Sequence, residues 1–302
     1  GKIGANIWPP ASRRYEEIPK GALVDAEGHA DIYKERLQFN IRWLELLDPE
    51  DQAYESVAEF APVGKYDPAL LFRELRQLCR RELKHQPLLD LLEAVFGDPG
   101  LRKQLLLAPA AKSVHQAYAG GLLEHTLNVA RICLALADLY PGLDRQILLA
   151  GAALHDLGKI REYDAGVVID YTQAGQLLGH TFLGLEILEP FLAASHLEEG
   201  LKEHLKHLIL SHHGEHEYGA ARLPQTIEAF ALHHADNLDA KLDICMASFP
   251  DQSQRPAWSP RIPWLERAIF LPVRTPAPDD DESCGAPDVK KRDGQAIMGS
   301  LI

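Results

Sequence analysis

The period of the apolar positions changes once along this chain of 302 residues. From residue 68 to about 246 they recur at three- and four-residue steps, which predicts a succession of amphipathic helices. Breaks are predicted at Gly97-Asp98-Pro99-Gly100, Pro141-Gly142, Gly158, Gly166, Gly179, Pro190 and Gly214, with Asp67, Asp98 and Asp144 placed to cap helix starts. Residues 1–47 instead alternate with period two, in KIGANIW, GALVDAEGHADIY and RLQFNIRWLEL, punctuated by Pro9-Pro10 and Gly21. That pattern predicts three strands. The acidic, proline-bounded stretch 48–67 reads as a linker, and VVIDYT (Val167 to Thr172) as a short extended piece. Residues 251–274, with Trp258 and Trp264, read as a C-terminal wrap, and 275–302 as an acidic tail too poor in apolar residues to pack. The fold class is mainly α: a helical bundle over 68–250 behind a small β module at 1–47.

Four polar positions interrupt the apolar faces. His125 stands three residues after Leu122 and four before Val129; His155 follows Ala152 by three; Asp156 follows Leu149 by seven; Asp236 follows Leu232 by four. All four are predicted to face inward. A buried carboxylate is costly unless paired or bound to a metal, so two of them beside two imidazoles point to a cation. Imidazole with carboxylate suits Mn, Fe, Co, Zn or Mg. His180, His212 and His213 also fall on inward positions, whereas His204 and His207, among Glu203 and Lys206, read as a solvated face. His233, one turn before Asp236, reads as a supporting residue and His234 as structural.

Composition narrows the class. Hydrophobic content of 46% supports a sizeable core, and a net charge of -13 argues against broad nonspecific duplex binding. Arg73, Arg76, Arg80, Arg81 and Lys84 form a basic stripe that suits a solvated helix face better than phosphate contact. Cys79, Cys133, Cys245 and Cys284 have no CxxC spacing, as expected in a reducing compartment. The longest apolar run, Ile147 to Leu154, is far short of a membrane span, and no charged-then-apolar leader stands at the start, so a cytoplasmic protein with no membrane partner is expected.

The order His, His-Asp, Asp resembles the HD-domain metal-dependent phosphohydrolases, and HDLGK (His155 to Lys159) is the form common in their phosphodiesterase and nuclease members. Four further blocks narrow the resemblance: KSVHQAYAGGLLEHT (Lys112 to Thr126), LLGHTFLG (Leu177 to Gly184), LILSHHGEHEYG (Leu208 to Gly219) and ADNLDAKLD (Ala235 to Asp243). Together they are similar to the bacterial 3'-5' exoribonucleases of the YhaM type. The resemblance implies an HD-domain bundle preceded by an OB-fold-like module, here incomplete, since such a barrel needs about five strands. It implies hydrolysis of single-stranded RNA, with single-stranded DNA as an alternative, by a metal-activated hydroxide. It implies two divalent ions, Mn²⁺ favoured over Co²⁺, Fe²⁺ or Mg²⁺. One would take His125, His155, Asp156 and Asp236; the other would share Asp156 and add His180 with His212 or His213. Lys159 and His213 would meet the phosphoryl charge, while Lys112, His115 and Tyr118 would line the substrate end. Oligomers are compatible with it.

Trp8, Tyr33, Phe39 and Trp43 either stack on bases or pack a core. Two rival functions use the same residues differently. A nucleotidase or cyclic-nucleotide phosphodiesterase has no need of a strand-binding module, and a non-catalytic RNA-binding protein has no need of an intact ligand set. An oxygenase on an HD iron site is a more distant alternative.

Overall fold

The computed structural model describes residues 3–9, 18, 22, 24–34, 36–47, 64–112, 116–164, 169–249 and 255–275. The expected linker up to residue 63, the tail from 276, Gly166, His115 and Cys284 lie outside them. The chain divides into two compact units, one within residues 1–61 and the other formed by most of the remainder.

The first unit is a three-stranded sheet. β1 (Gly4–Ile7), β2 (Val24–Tyr33) and β3 (Arg36–Leu46) fall where the alternation predicted them, in the order β1-β3-β2. β2 and β3 pair as an antiparallel hairpin, with the register shifting between Glu27 and Gly28, and β1 runs parallel to β3. Trp8, Tyr33 and Trp43 are exposed, and Trp8 Nε1 donates to Asn40 Oδ1 at 3.2 Å, so these three do not pack a core.

The second unit is helical. α1 (Pro68–Glu82), α2 (Gln86–Gly97), α3 (Pro99–Leu107), α4 (Gly121–Leu139) and α5 (Arg145–Leu154) come first. A short α6 (Lys159–Glu162) leads into a hairpin of β4 (Tyr163–Asp164) with β5 (Asp170–Tyr171). α7 (Gln173–Ala194), α8 (Glu199–Ser211) and α9 (Ile227–Ala247) complete the bundle. The capping aspartates act as expected: Asp67 accepts from Ala69 N, Asp98 from Leu101 N, and Asp144 from Gln146 N and Ile147 N. Residues 255–275 form a small hairpin, β6 (Ala257–Trp258) with β7 (Phe270–Leu271).

α5 is the axis of the core. Every residue from Ile147 to Leu154 is buried, against α4, α8 and α9. The run is uniformly apolar because the helix is covered on all sides, and each buried Leu or Ile contributes roughly 1.5–3 kcal/mol. α7 is the one described helix long and apolar enough to cross a membrane. Here its Leu183, Ile187, Leu188 and Leu192 pack into the bundle.

Two expectations need correction. Pro190 does not end a helix, since α7 runs through it to Ala194. Burial of Ile187, Leu188 and Leu192 holds that last turn despite the missing N–H. The real interruption is Gly179, at φ 73° and ψ 158°, a conformation suited to glycine. His204 and His207 are not a solvated face. His204 Nε2 meets Thr226 Oγ1 at 3.0 Å, and His207 Nε2 accepts from Gln225 N at 3.0 Å, so both tie α8 to the start of α9. The basic stripe is the solvated face expected of it: Arg73, Arg80, Arg81 and Lys84 are exposed, and the ion pairs it makes lie at the surface. Arg76 and Arg80 both pair with Glu93 of α2, Arg81 pairs with Glu82, and Lys84 Nζ donates to Arg81 O.

Candidate metal centre

The predicted residues converge from five places. His125 comes from the first turns of α4 and Asp236 from the middle of α9. His155 and Asp156 stand just past the end of α5, in the turn that leads to α6, rather than within a helix as expected. His180 follows the Gly179 kink, and His212 and His213 follow the end of α8. A helix end lets a side chain turn into the core without displacing the apolar face behind it.

Four imidazoles share one arrangement. His125 Nδ1 lies 2.7 Å from Asp239 Oδ2, His155 Nδ1 2.9 Å from Ala152 O, His180 Nδ1 3.0 Å from Glu162 Oε1, and His212 Nδ1 2.7 Å from Ile209 O. With Nδ1–H donating to an acceptor, each ring turns Nε2 toward the centre, the nitrogen a metal would take once it is free of a proton. Two donor groups result: His125, His155 and Asp236; and His180, His212 and His213.

Asp156 stands between them. Its Oδ2 is 3.4 Å from both His125 Nε2 and His155 Nε2, and its Oδ1 is 3.3 Å from His180 Nε2 and 3.6 Å from His212 Nε2. Asp156 is buried, yet neither oxygen receives a properly aligned hydrogen bond, and His155 Nε2 has no partner. Lys159 Nζ is 2.7 Å from Oδ2 but off the hydrogen-bond direction. Buried carboxylate oxygens in that condition are costly, and a divalent cation is what the surrounding donors fit.

The electrostatics agree with that fit. Burial alone would raise Asp156, but Lys159 and His155 beside it hold its carboxyl well below the usual range. Asp236, opposed by burial, is likewise held down by His125. Burial opposes charge on His125, yet its bonds to Asp236 and Asp239 lift it to about 10. A proton and a metal therefore compete for the same Nε2. Burial lowers His212, and burial with the His212 and His180 charges drives His213 down to about 2. Lys159 stays charged: burial disfavours it, but Asp156 and Asp236 raise it.

His213 differs from the others. Its Nε2 lies 3.0 Å from His180 Nε2, while its buried Nδ1 has no partner to fix the ring. Lys112 Nζ pairs with Asp170 Oδ1 at 2.5 Å and lies over the Tyr171 ring, so it meets the β4–β5 hairpin. Tyr118 OH donates to Glu124 Oε2 at 2.7 Å, one residue before His125. His233 Nδ1 donates to His212 O at 2.8 Å, the supporting contact expected of it. His234 is exposed rather than structural. Two residues escaped the sequence reading, Asp239 and Glu162. Asp239 is one turn beyond Asp236 on the same helix face, a usable signal. Glu162 has no such signal, because only the fold brings it to His180.

An HD domain model matches residues 122–241, which span every donor of both groups. Fold and site define the chain as an HD-domain protein, a class whose members bind divalent metal. It is 34% identical over 278 residues to the 3'-5' exoribonuclease YhaM of Bacillus velezensis, covering 89% of this chain and 84% of that protein. It is 33% identical over 252 residues to 3'-5' exoribonuclease YhaM of Bacillus subtilis, covering 81% and 76% respectively. The chain belongs to the YhaM family. No solved structure matches it significantly.

Proposed function

We propose that this chain is a metal-dependent 3'-5' exoribonuclease acting in the cytoplasm on single-stranded RNA, with single-stranded DNA as a second substrate. The observation that carries the reading is Asp156, with one oxygen toward each group of imidazoles and neither hydrogen-bonded. His125, His155 and Asp236 with Asp156 would hold one cation, and His180 and His212 with Asp156 would hold the other. His212 is preferred to His213 because its Nδ1 is fixed by Ile209 O. Two divalent ions there, Mn²⁺ first and Co²⁺, Fe²⁺ or Mg²⁺ as alternatives, would supply Lewis acidity and lower the pKa of water.

The chain's own groups do the rest. Asp239 and Glu162 hold the His125 and His180 rings with Nε2 inward. Lys159, charged and buried at Asp156, offsets the negative charge that gathers on the phosphoryl oxygens. His213, neutral by burial and unfixed at Nδ1, faces the same charge as a hydrogen-bond donor. Lys112, His115 and Tyr118 are assigned to the substrate end of the site on the resemblance of the run that precedes His125. The exposed Trp8, Tyr33 and Trp43 of the N-terminal sheet favour a polynucleotide over a mononucleotide substrate, since aromatic faces stack on successive bases.

The test is digestion of a 5'-labelled single-stranded RNA. A descending ladder that disappears on chelation and returns with Mn²⁺ is expected. An immediate labelled mononucleotide would reverse the polarity. Intact RNA with turnover of nucleoside monophosphates or cyclic nucleotides would replace the reading with the small-molecule one.

A further inference from the structure

Away from the metal centre, α9 presents a second face to solvent. Its inner face carries Leu232, Ala235, Asp236 and Asp239 toward the bundle. Its outer face carries Ile227, Phe230, His234, Leu238, Leu242 and Cys245, which follow one another at three, four, four, four and three residues. Steps of three and four keep them on one stripe along all 21 residues of the helix. Ile227 is 57% exposed, Phe230 53%, Leu238 47% and Leu242 49%. So many large apolar side chains in one exposed stripe mark an interaction surface rather than ordinary scatter. Beside its start, Leu136, Tyr140 and Leu143 join Ile227, Phe230 and Ala231 around an apolar groove of about 510 Å³.

We propose that this face is the interface between two copies of the chain, with the two α9 helices crossing antiparallel about a two-fold axis at the level of residue 236. A two-fold contact must be self-complementary, and the spacing of the stripe is palindromic about that level. Ile227 falls opposite the partner's Cys245, Phe230 opposite the partner's Leu242, and His234 opposite the partner's Leu238. Phe230 and Leu242 thus meet each other in both halves of the contact, and such a stripe packs two helices at about 8–10 Å. The end of the partner helix lies over the groove, where Tyr140 supplies a wall.

Area and charge both fit a second copy. The exposed stripe, extended by Tyr140 of the groove, comprises five large apolar side chains, all between 47% and 58% exposed. At roughly 100 Å² each they offer about 500 Å² per copy and about 1,000 Å² in all, the size at which a specific interface begins. The one charged residue on the stripe, Lys241, falls opposite the partner's Ala231, so no like charges meet although the chain carries -13. Asp236 and Asp239 project from the other side of the helix, so pairing leaves the metal centre uncovered.

Light scattering and sedimentation velocity on the full chain test the proposal. The wild type should run at twice its 33.6 kDa mass or a higher even multiple. Leu238→Glu and Phe230→Asp should halve that mass while the helical content is kept, because both positions are exposed within one copy, with Tm lowered only by the loss of the partner. Ile227→Cys should form a covalent dimer with the native Cys245 on mild oxidation, and Ile227→Cys/Cys245→Ser should not. A monomeric wild type at tens of micromolar overturns the proposal, whether or not α9 proves protected from hydrogen exchange by another part of the same chain. So does an oligomer that survives both substitutions, or a dimeric Ile227→Cys protein that does not cross-link.

Discussion

Gly158→Ala tests how closely the turn after Asp156 is tied to the second donor group. Gly158 has φ −63°, so an alanine is permitted by the backbone and the effect must be steric. A Cβ there would sit 1.9 Å from His180 O and 2.5 Å from Gly184 N, both backbone atoms of α7. Real Cβ atoms essentially never approach within 3.0 Å, so α7 must retreat by about 1.1 Å at His180. Overpacking of this kind costs about 1–3 kcal/mol, which for a domain of this size lowers Tm by roughly 2–12 °C. The retreat carries His180 away from Asp156 Oδ1, now 3.3 Å off, and from Glu162, which holds both its backbone N and its Nδ1 at 3.0 Å. Affinity at the second site should fall about 10–100-fold, as it does when an orienting partner is lost, and turnover by a similar factor of ~10². The first donor group, built from α4, α5 and α9, should keep its metal. Metal counting, Tm and the RNA ladder read the three effects, with Gly142→Ala as control because nothing lies within 4 Å of its Cβ. A Gly158→Ala protein with wild-type Tm and two metals would refute the reasoning.

Asp156→Ala should lose both metals and all hydrolysis, since its two oxygens serve both groups; retained activity would sink the site assignment. Lys159→Ala should keep its metals and lose turnover, and metal loss instead would make Lys159 a structural counter-ion. Asp239→Asn should weaken the first metal about 10–100-fold while leaving the second, because it acts on His125 Nδ1 alone. Proton release should accompany metal binding at the first site. His125, raised to about 10, is protonated at pH 7 and must lose that proton to ligate, so affinity should rise about tenfold per pH unit below pH 10. His212 and His213, held low, add no protons at the second site. Calorimetric titration in buffers of different ionisation enthalpy reads the count, and zero release would contradict the His125 assignment.

The sequence by itself determined the helical period, the capping aspartates, the strand alternation and the set of inward donors, because each of these is written in local spacing or residue chemistry. His125, His155, Asp156, His180, His212 and Asp236 all converge as the spacing required. Only the tertiary structure decided how they divide. That Asp156 serves two groups depends on the distance between the turn after α5, the kink in α7 and the end of α8, and no local pattern encodes a distance between helices. The same holds for Glu162, brought to His180 by the turn at Gly158, and for Pro190, which neighbouring side chains keep within its helix. His204 and His207 looked solvated because their neighbours in sequence are charged; their partners, Thr226 and Gln225, arrive from the next connection. Local spacing states which side chains must leave water, and the packing of the helices states what each one meets there.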